Sequence, residues 1–182
     1  MLLAHKITLD PTENQKIYFK KACGVSRFSY NWALNRWNEL YKSGKKVSEM
    51  SLRKELNSIK KIEFPWISEV TKCAPQQSIK NLGEAFKRFF KKKSRYPKFK
   101  NKYGKQSFRT DNGPLKKGDN AVDVEEKKVC LPRVGWVRMR ESLRFKGQIK
   151  SAIVSKRAEK WFVSFSVEVK DHPNKPLKNH GG

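Results

Sequence analysis

Carboxylates are scarce in this sequence. Its 182 residues include 17 Asp and Glu against 42 Lys and Arg, which gives a formal net charge of +25 at pH 7. The three cysteines, Cys23, Cys73 and Cys130, stand far apart and form no CxxC pair. This spacing supports neither a disulfide framework nor a zinc knuckle, and it is typical of a protein from a reducing, intracellular compartment.

Long apolar runs are also absent. No stretch approaches the ~20 residues of a membrane-spanning helix, and the N-terminus is not that of a signal peptide. A chain with this much positive charge repels itself unless it binds an anion. We therefore expect a soluble, cytoplasmic, nucleoid-associated protein whose partner is nucleic acid, and an acidic membrane surface is the less favoured alternative.

The stretch from Gln76 to Thr110 organises the rest of the sequence. Its first half predicts a helix with one apolar face, formed by Ile79, Leu82, Gly83, Phe86, Phe89 and Phe90. Cations lie on the other face and continue past the helix, with no carboxylate from Lys87 to Arg109 and with aromatic rings between them.

Cations that alternate with rings are typical of surfaces that bind phosphates and stack on bases. A solvated lysine-rich face is the alternative interpretation. The candidate RNA- and phosphate-binding residues are Lys80, Lys87, Arg88, Lys91, Lys92, Lys93, Arg95, Tyr96, Lys98, Phe99, Lys100, Lys102 and Arg109.

Two helices are predicted between the first strand and residue 43. Asp10 is expected to cap the first helix, with Pro11 at its first position, and Gly24 is expected to end it. Ser26 then caps a second helix that runs to Ser43. A helix, a short turn and a second helix could form a helix-turn-helix, although most such pairs only pack in a core.

A third helix is expected after Ser48, followed by a rigid corner at residues 64–66. The aromatic residues of the second helix are interpreted as packing residues rather than base-stacking platforms; they are Tyr30, Trp32, Trp37 and Tyr41. The wider core prediction comprises Phe86, Phe89, Phe90, Trp136, Trp161 and Phe165.

The chain alternates like β-strands at its N-terminus and again after residue 120. The predicted strands are Leu2–Leu9, Ala121–Val124, Lys128–Leu131, Trp136–Arg140, Ile149–Ser155 and Trp161–Val169. A hairpin turn is expected at residues 157–160, a turn at Lys116–Asn120, and a linker or tail over residues 171–182. The fold class is therefore α+β, a small antiparallel β-barrel with an inserted helical domain.

The expected division is residues 1–9 as the first barrel strand, 10–93 as the helical domain, 94–170 as the rest of the barrel and 171–182 as the linker. Five stretches, in the same order and spacing, resemble the N-terminal half of the TnpB (OrfB) family of transposon-associated RNA-guided nucleases. They are Arg27–Asn31, Pro65–Val70, Gln76–Phe90, Tyr96–Lys100 and Leu131–Val137. The resemblance covers roughly residues 4–169.

The resemblance implies a wedge β-barrel interrupted by a helical recognition domain, which together hold a structured guide RNA and recognise a short motif on duplex DNA. It places the motif-reading pair on Lys72 and Gln76. A Gln amide can pair with an adenine edge, and a Lys can reach a base acceptor or a phosphate. A solvated first helical turn is the equal alternative for these two residues, and Pro75 between them could alter their relative aim.

In the family, a RuvC nuclease domain and a four-cysteine zinc element follow a linker like residues 171–182. We expect no nuclease activity and no cofactor for this chain, with divalent metal and zinc confined to that C-terminal half. The acids here are better explained as a cap at Asp10, as turn residues at Asp111 and Asp119, and as strand-end charges, and no histidine has metal-ligand spacing.

The main hypothesis is thus a binding module that uses guide RNA and duplex DNA. A second is half of an endonuclease completed by a RuvC-containing half or a second copy. A third is a DNA-only helix-turn-helix repressor or transposition accessory that uses no guide RNA.

Overall fold

A computed structural model describes residues 1–113 and 121–170. The chain begins with strand β1 (Leu2–Asp10) and continues through helices α1 (Glu13–Lys42), α2 (Glu49–Glu63) and α3 (Cys73–Phe90), with a 3₁₀ turn at Pro65–Glu69. Six strands follow: β2 (Gln106–Asp111), β3 (Asp123–Glu125), β4 (Lys128–Leu131), β5 (Gly135–Met139), β6 (Gln148–Arg157) and β7 (Lys160–Glu168). The predicted turn at Lys116–Asn120 and the tail at residues 171–182, with Asp119, lie outside the described residues.

Residues 13–42 form one helix, so the predicted break at Gly24 is wrong. Residues on both sides of this glycine are buried, among them Phe19, Cys23 and Val25. A lone glycine costs a helix only about 1 kcal/mol, and packing that continues through it offsets that cost. Ser26, predicted to cap a second helix, instead places its Oγ 2.6 Å from Ser78 Oγ of α3.

The N-cap of α1 is Thr12, not Asp10. The Thr12 hydroxyl accepts from the Gln15 backbone N–H at 3.3 Å, and the Gln15 side chain accepts from the Thr12 N–H at 2.9 Å. This reciprocal pair satisfies two N–H groups that the helix itself cannot. Asp10 instead ends β1, where Arg140 donates to it at 3.4 Å.

The second and third helices pack side by side. Ser48 caps α2 as predicted, and Leu52 and Leu56 are buried. A side chain at Gly83 of α3 would place its Cβ 2.9 Å from that of Glu49, so this glycine allows the two helices to approach closely. Pro75 is the third residue of α3, where a missing N–H costs no intrahelical bond.

All seven strands belong to one antiparallel sheet with the order β2-β6-β7-β1-β5-β4-β3. The β6–β7 hairpin turns at residues 158–159, with Arg157 opposite Lys160, as the sequence predicts. The sequence analysis does not predict β2, because the segment overlaps the cationic stretch that it assigns to nucleic-acid binding. The α+β class is confirmed. Closure into a barrel is not confirmed, since no pairing within the described ranges joins β2 to β3.

Helices α1 and α3 pack against the sheet at β2. Phe19 of α1 packs on Phe108 and Trp161, with ring centroids 5.9 and 5.2 Å apart. Trp161 and Phe165 are buried as predicted, and so is Phe86. Within the two described ranges, no helix is long and apolar enough to cross a membrane.

Two other core predictions are wrong. Trp136 is 44% exposed, because its neighbours Val137 and Met139 alternate inward along β5 and Trp136 therefore points outward. Phe90 is 59% exposed, because it is the last residue of α3, where its ring packs on Phe86 and Phe89 on one side only. Phe89 is half-buried.

The aromatic residues of α1 are mostly packing residues, as expected. Tyr30 and Trp37 are buried, and Trp32 is half-buried. Trp37 stacks on Phe86 with centroids 4.1 Å apart. Tyr41 contradicts the prediction, because it is 67% exposed near the end of the helix.

Candidate nucleic-acid interface

A basic segment joins α3 to β2, and we call residues 91–105 the basic strap. Its fifteen residues contain eight Lys or Arg and no Asp or Glu. The strap has neither helix nor strand, and every residue in it except Pro97 is exposed. Its charge is therefore presented to solvent.

The strap leaves α3 through a left-handed turn. Lys92 has φ 56°, and its N–H donates to Phe89 O at 2.9 Å while the Lys93 N–H donates to Arg88 O at 2.9 Å. This pattern is a Schellman motif, in which glycine is the usual residue. A lysine at this position keeps a charge where the backbone favours glycine.

Side chains of α1 hold the strap in place at three points. The Tyr96 hydroxyl donates to Asn38, and the Lys100 backbone exchanges two hydrogen bonds of 2.8 Å with the Asn31 side chain. Just past the strap, Arg27 donates to Gln106 at 2.8 Å. Positions 27, 31 and 38 share one stripe of the helix, so the strap runs antiparallel to α1.

Lys100 is exposed as a residue, but its ammonium group is partly shielded from solvent. Its Nζ lies 4.2 Å from the centroid of the Tyr30 ring, a cation–π contact. Burial, and to a lesser degree the charge of Lys105, lowers the pKa of Lys100. Burial also raises the pKa of the Tyr30 hydroxyl.

Aromatic residues of the strap divide into an anchor and two exposed rings. Tyr96 packs edge-on against Phe86 and Phe89, with centroids 5.4 and 5.1 Å apart. Phe99 is 57% exposed and Tyr103 is 85% exposed. These two rings are therefore available for stacking on bases.

The remaining cations of the predicted interface lie on α3 and β2. Lys80, Lys87 and Arg88 are exposed on the solvent side of α3. Lys87 pairs with Glu84 at 2.7 Å, and its hydrogen bond lowers the pKa of that carboxyl. Arg109, on β2, donates through Nε to Asp111 at 2.7 Å.

The predicted motif-reading pair lies at the start of α3. Lys72 is exposed at the N-cap position, and Gln76 is half-buried one turn later. No acidic residue and no capping side chain occupies this turn, so the positive end of the helix dipole and Lys72 act together.

Residues distant in sequence support this turn. Arg133 of the β4–β5 connection donates to Ser68 O at 2.7 Å. The Thr71 N–H donates to the Tyr18 hydroxyl at 3.0 Å, and that hydroxyl donates to Pro132 O at 3.4 Å. Lys72 thus follows a backbone segment fixed from α1 and from the sheet.

Sequence reasoning missed the residues that position the strap: Arg27, Asn31, Asn38 and Gln106. The available signal was the spacing of two asparagines seven residues apart on a helix with an aromatic, apolar face. Nothing in the sequence shows which backbone an amide binds. Four of the five family-like stretches meet in pairs, with Arg27–Asn31 against Tyr96–Lys100 and Pro65–Val70 against Leu131–Val137.

Metal ligands do not cluster in the described part of the chain. Among residues 1–113 and 121–170, no group of three or more His, Cys, Asp or Glu could hold a metal ion. The three cysteines are free. Burial raises the pKa of the Cys23 thiol to about 12, so this thiol stays protonated at neutral pH.

Comparison with known proteins gives one family match and three curated relatives. Residues 1–46 match the family HTH_OrfB_IS605, described as a helix-turn-helix domain. The chain is 32% identical over 169 residues to "Putative RNA-guided DNA endonuclease InsQ" of Escherichia coli K12, which covers 92% of this chain and 40% of that protein.

The second and third relatives differ in how much of their length is matched. The chain is 30% identical over 176 residues to a "Putative RNA-guided DNA endonuclease" of Streptomyces pristinaespiralis, which covers 91% of this chain and 41% of that protein. It is 31% identical over 116 residues to "Virulence protein VsdF" of Salmonella dublin, which covers 58% of this chain and 98% of that protein.

Fold and surface together define a basic α+β protein with a cationic strap laid along a long helix. The family match and the two longer alignments identify it further: the chain belongs to the TnpB/OrfB family and corresponds to its N-terminal part. It spans about two fifths of the length of InsQ and of the Streptomyces relative.

Proposed function

We propose that this chain is the nucleic-acid-binding part of a TnpB-like protein. It binds the scaffold of a structured guide RNA through the basic strap and the outer face of α3. It reads the adjacent motif of duplex DNA through Lys72 and Gln76. In this proposal, the sheet described above forms part of the expected wedge barrel.

The basic strap is the observation that carries this proposal. Eight cations in fifteen residues cost folding free energy through repulsion unless a polyanion neutralises them. The Asn31 and Asn38 contacts fix the path of the strap on α1, so its charges form an ordered row. An ordered row of cations with two exposed rings suits a folded RNA backbone with unpaired bases.

Motif reading rests on the geometry of the first turn of α3. Lys72 and Gln76 are four positions apart and therefore share a face of the helix. Pro75 in the third position leaves this turn intact. The Gln76 amide is then available for a base edge, and Lys72 for an adjacent phosphate or base acceptor.

We assign nuclease activity to the part of the longer relatives that this chain does not cover. Two-metal hydrolysis requires carboxylates that hold two ions across the scissile phosphate. The described residues do not gather such a cluster. Divalent metal and zinc would then be bound by a RuvC-containing partner segment or by a second polypeptide.

The test is RNA binding by the chain and its dependence on salt. The chain is purified from its native host with the neighbouring locus intact, and the co-purifying RNA is sequenced and then used for titrations. One dominant RNA species is expected. Changing Lys91, Lys92, Lys93 and Arg95 to Ala should reduce the slope of log affinity against log salt by about 3, since each single-strand phosphate contact contributes about 0.7.

A matched control removes four exposed lysines outside the strap, Lys45, Lys46, Lys54 and Lys61, and has the same net charge as the strap variant. It should retain most of the slope. Equal slopes for the two variants would contradict the assignment of the strap. For the motif, Gln76→Ala should change the base preferred beside the target in a selection from randomised duplexes, and an unchanged preference would contradict that role.

A DNA-only helix-turn-helix function is the second candidate, supported by the description of the family that matches residues 1–46. The geometry gives it less support, because residues 13–42 form one helix without an internal turn. Equal affinity for duplex DNA with and without the structured RNA would favour this candidate.

A further inference from the structure

A small cleft lies where the strap meets α1, α3 and β2. Its volume is about 240 Å³. Lys100 and Lys105 of the strap line it together with Arg109 of β2, and the polar residues Ser26, Gln77 and Ser107 are also part of its lining. The cleft thus combines cations that are up to nine residues apart in sequence. Residues of two helices add hydroxyl and amide groups to its lining.

The charged side chains that line the cleft are all cationic. Its lining contains three Lys or Arg and no Asp or Glu among the described residues. Asp111 is the nearest acid in sequence, and it accepts from Arg109 Nε at 2.7 Å. Lys100 and Lys105 are close enough for the charge of one to disfavour the charge of the other, and an anion between them would relieve that repulsion.

The walls are held rigidly before any ligand binds. The Asn31 side chain fixes the backbone of Lys100 through two bonds of 2.8 Å. The Gln106 amide donates to Lys102 O at 2.6 Å, which closes the loop that carries Lys105. Ser26 and Ser78 bond across the two helices at 2.6 Å. A site arranged in advance binds a small anion without a further ordering cost.

We propose that this cleft binds one phosphate group of the bound nucleic-acid strand. A phosphate needs several N–H and O–H donors on different sides, with positive charge close by. Lys100 and Lys105 of the strap and Ser107 and Arg109 of β2 line the cleft, and their side chains carry donors of this kind. The cleft thus fixes one point of the strand, whereas the other strap lysines contact the backbone diffusely.

This inference rests on the proposed function for its biological ligand, but its test does not. Inorganic phosphate is titrated into the full chain at constant ionic strength, and backbone amide shifts are followed by NMR. The amides of Gln77 and Ser107 are expected to shift and saturate. Lys105→Gln should weaken this binding by about tenfold, and Lys105→Arg should largely restore it. Lys54→Gln, at an exposed lysine of α2 outside the strap and the cleft, should bind phosphate like the wild type.

Shifts that rise linearly without saturation, or an equal loss in Lys105→Gln and Lys54→Gln, would overturn the cleft site. The RNA titration separates the two proposals. If the wild type binds RNA tightly while phosphate fails to saturate, the cleft assignment fails and the proposed function stands. If RNA binding is absent while phosphate saturates at Gln77 and Ser107, the cleft stands as an anion site and the proposed function fails.

Discussion

The β6–β7 hairpin and the basic strap are ordered by different forces. Inward residues of β7 are buried in strict alternation, and backbone ladders pair the strand on both sides. The strap has no ladder at all, and side-chain amides of α1 and the packing of Tyr96 hold it. Apolar burial therefore stabilises the fold, whereas a few polar contacts position the surface proposed to bind nucleic acid.

The largest effect is expected from a substitution in the buried core beneath the β6–β7 hairpin. Phe165 of β7 is 1% exposed, and Phe165→Ala should lower the free energy of unfolding by about 3–5 kcal/mol. Urea unfolding with an unchanged m-value measures this. Phe162→Ala, at a half-buried position on the other face of the same strand, should cost about 1–2 kcal/mol. Similar losses for the two variants would contradict the assignment of the sheet faces.

The sequence predicted strands whose inward residues are all apolar, and it failed where contacts between residues distant in sequence decide the outcome. Alternation in residues 161–169 identified β7 because each inward residue is apolar. The end of the first helix was wrong, because a local glycine signal at Gly24 was weighed without the packing of Phe19 and Val25 that continues through it. The cationic character of the strap was readable, but its path was not, since the side chains of Asn31 and Asn38 do not reveal their partners.

Strand β2 is a second element that the sequence analysis does not predict. Phe108 and Thr110 are buried in alternation, which is a strand pattern. Because their neighbours are cationic, the sequence analysis assigns the segment to the binding surface. Arg109 belongs to both, since it lies on a strand and lines the cleft. One segment thus carries a folding pattern and a binding pattern at once.

The next effect comes from releasing the strap. Asn31→Ala removes both hydrogen bonds to the Lys100 backbone, which should cost about 1–2 kcal/mol. Hydrogen exchange at the Lys100 amide should accelerate, while exchange in β7 changes only as much as global stability does. Asn35→Ala is the control, because the Asn35 side chain donates to Glu39 of the same helix and does not hold the strap. Unchanged protection at Lys100 would contradict the role of Asn31 in holding the strap.

A smaller effect separates stability from charge within the strap. Lys92 lies in the left-handed region with φ 56°, so Lys92→Gly should stabilise the fold by about 1 kcal/mol. Thermal unfolding should shift upward by about 2–4 °C for a chain of this size. RNA affinity should nonetheless fall, since one cation is lost. Lys91→Gly, at a position with φ −79°, should give no gain in stability, and an equal gain there would contradict the conformational argument.

The smallest expected effect concerns pH and Lys100. Burial lowers the pKa of this lysine, so the folded chain releases its proton at lower pH than the unfolded chain does. Between the two pKa values the unfolded state binds more protons, and the contribution of Lys100 to folding stability therefore rises with pH. RNA binding should change in the opposite direction, because it needs the charged form.

The wild type is expected to lose about fourfold in affinity at 0.15 M salt as pH rises through the lowered pKa, the contribution of one phosphate contact. Lys100→Arg stays charged throughout, so it should not show this loss, whereas Lys98→Arg should follow the wild type. Titration with a 2′-O-methyl RNA, which resists alkaline hydrolysis, measures the profile. Coincident profiles for the wild type and Lys100→Arg would mean that Lys100 binds no phosphate, and that its place over Tyr30 serves only to hold the strap.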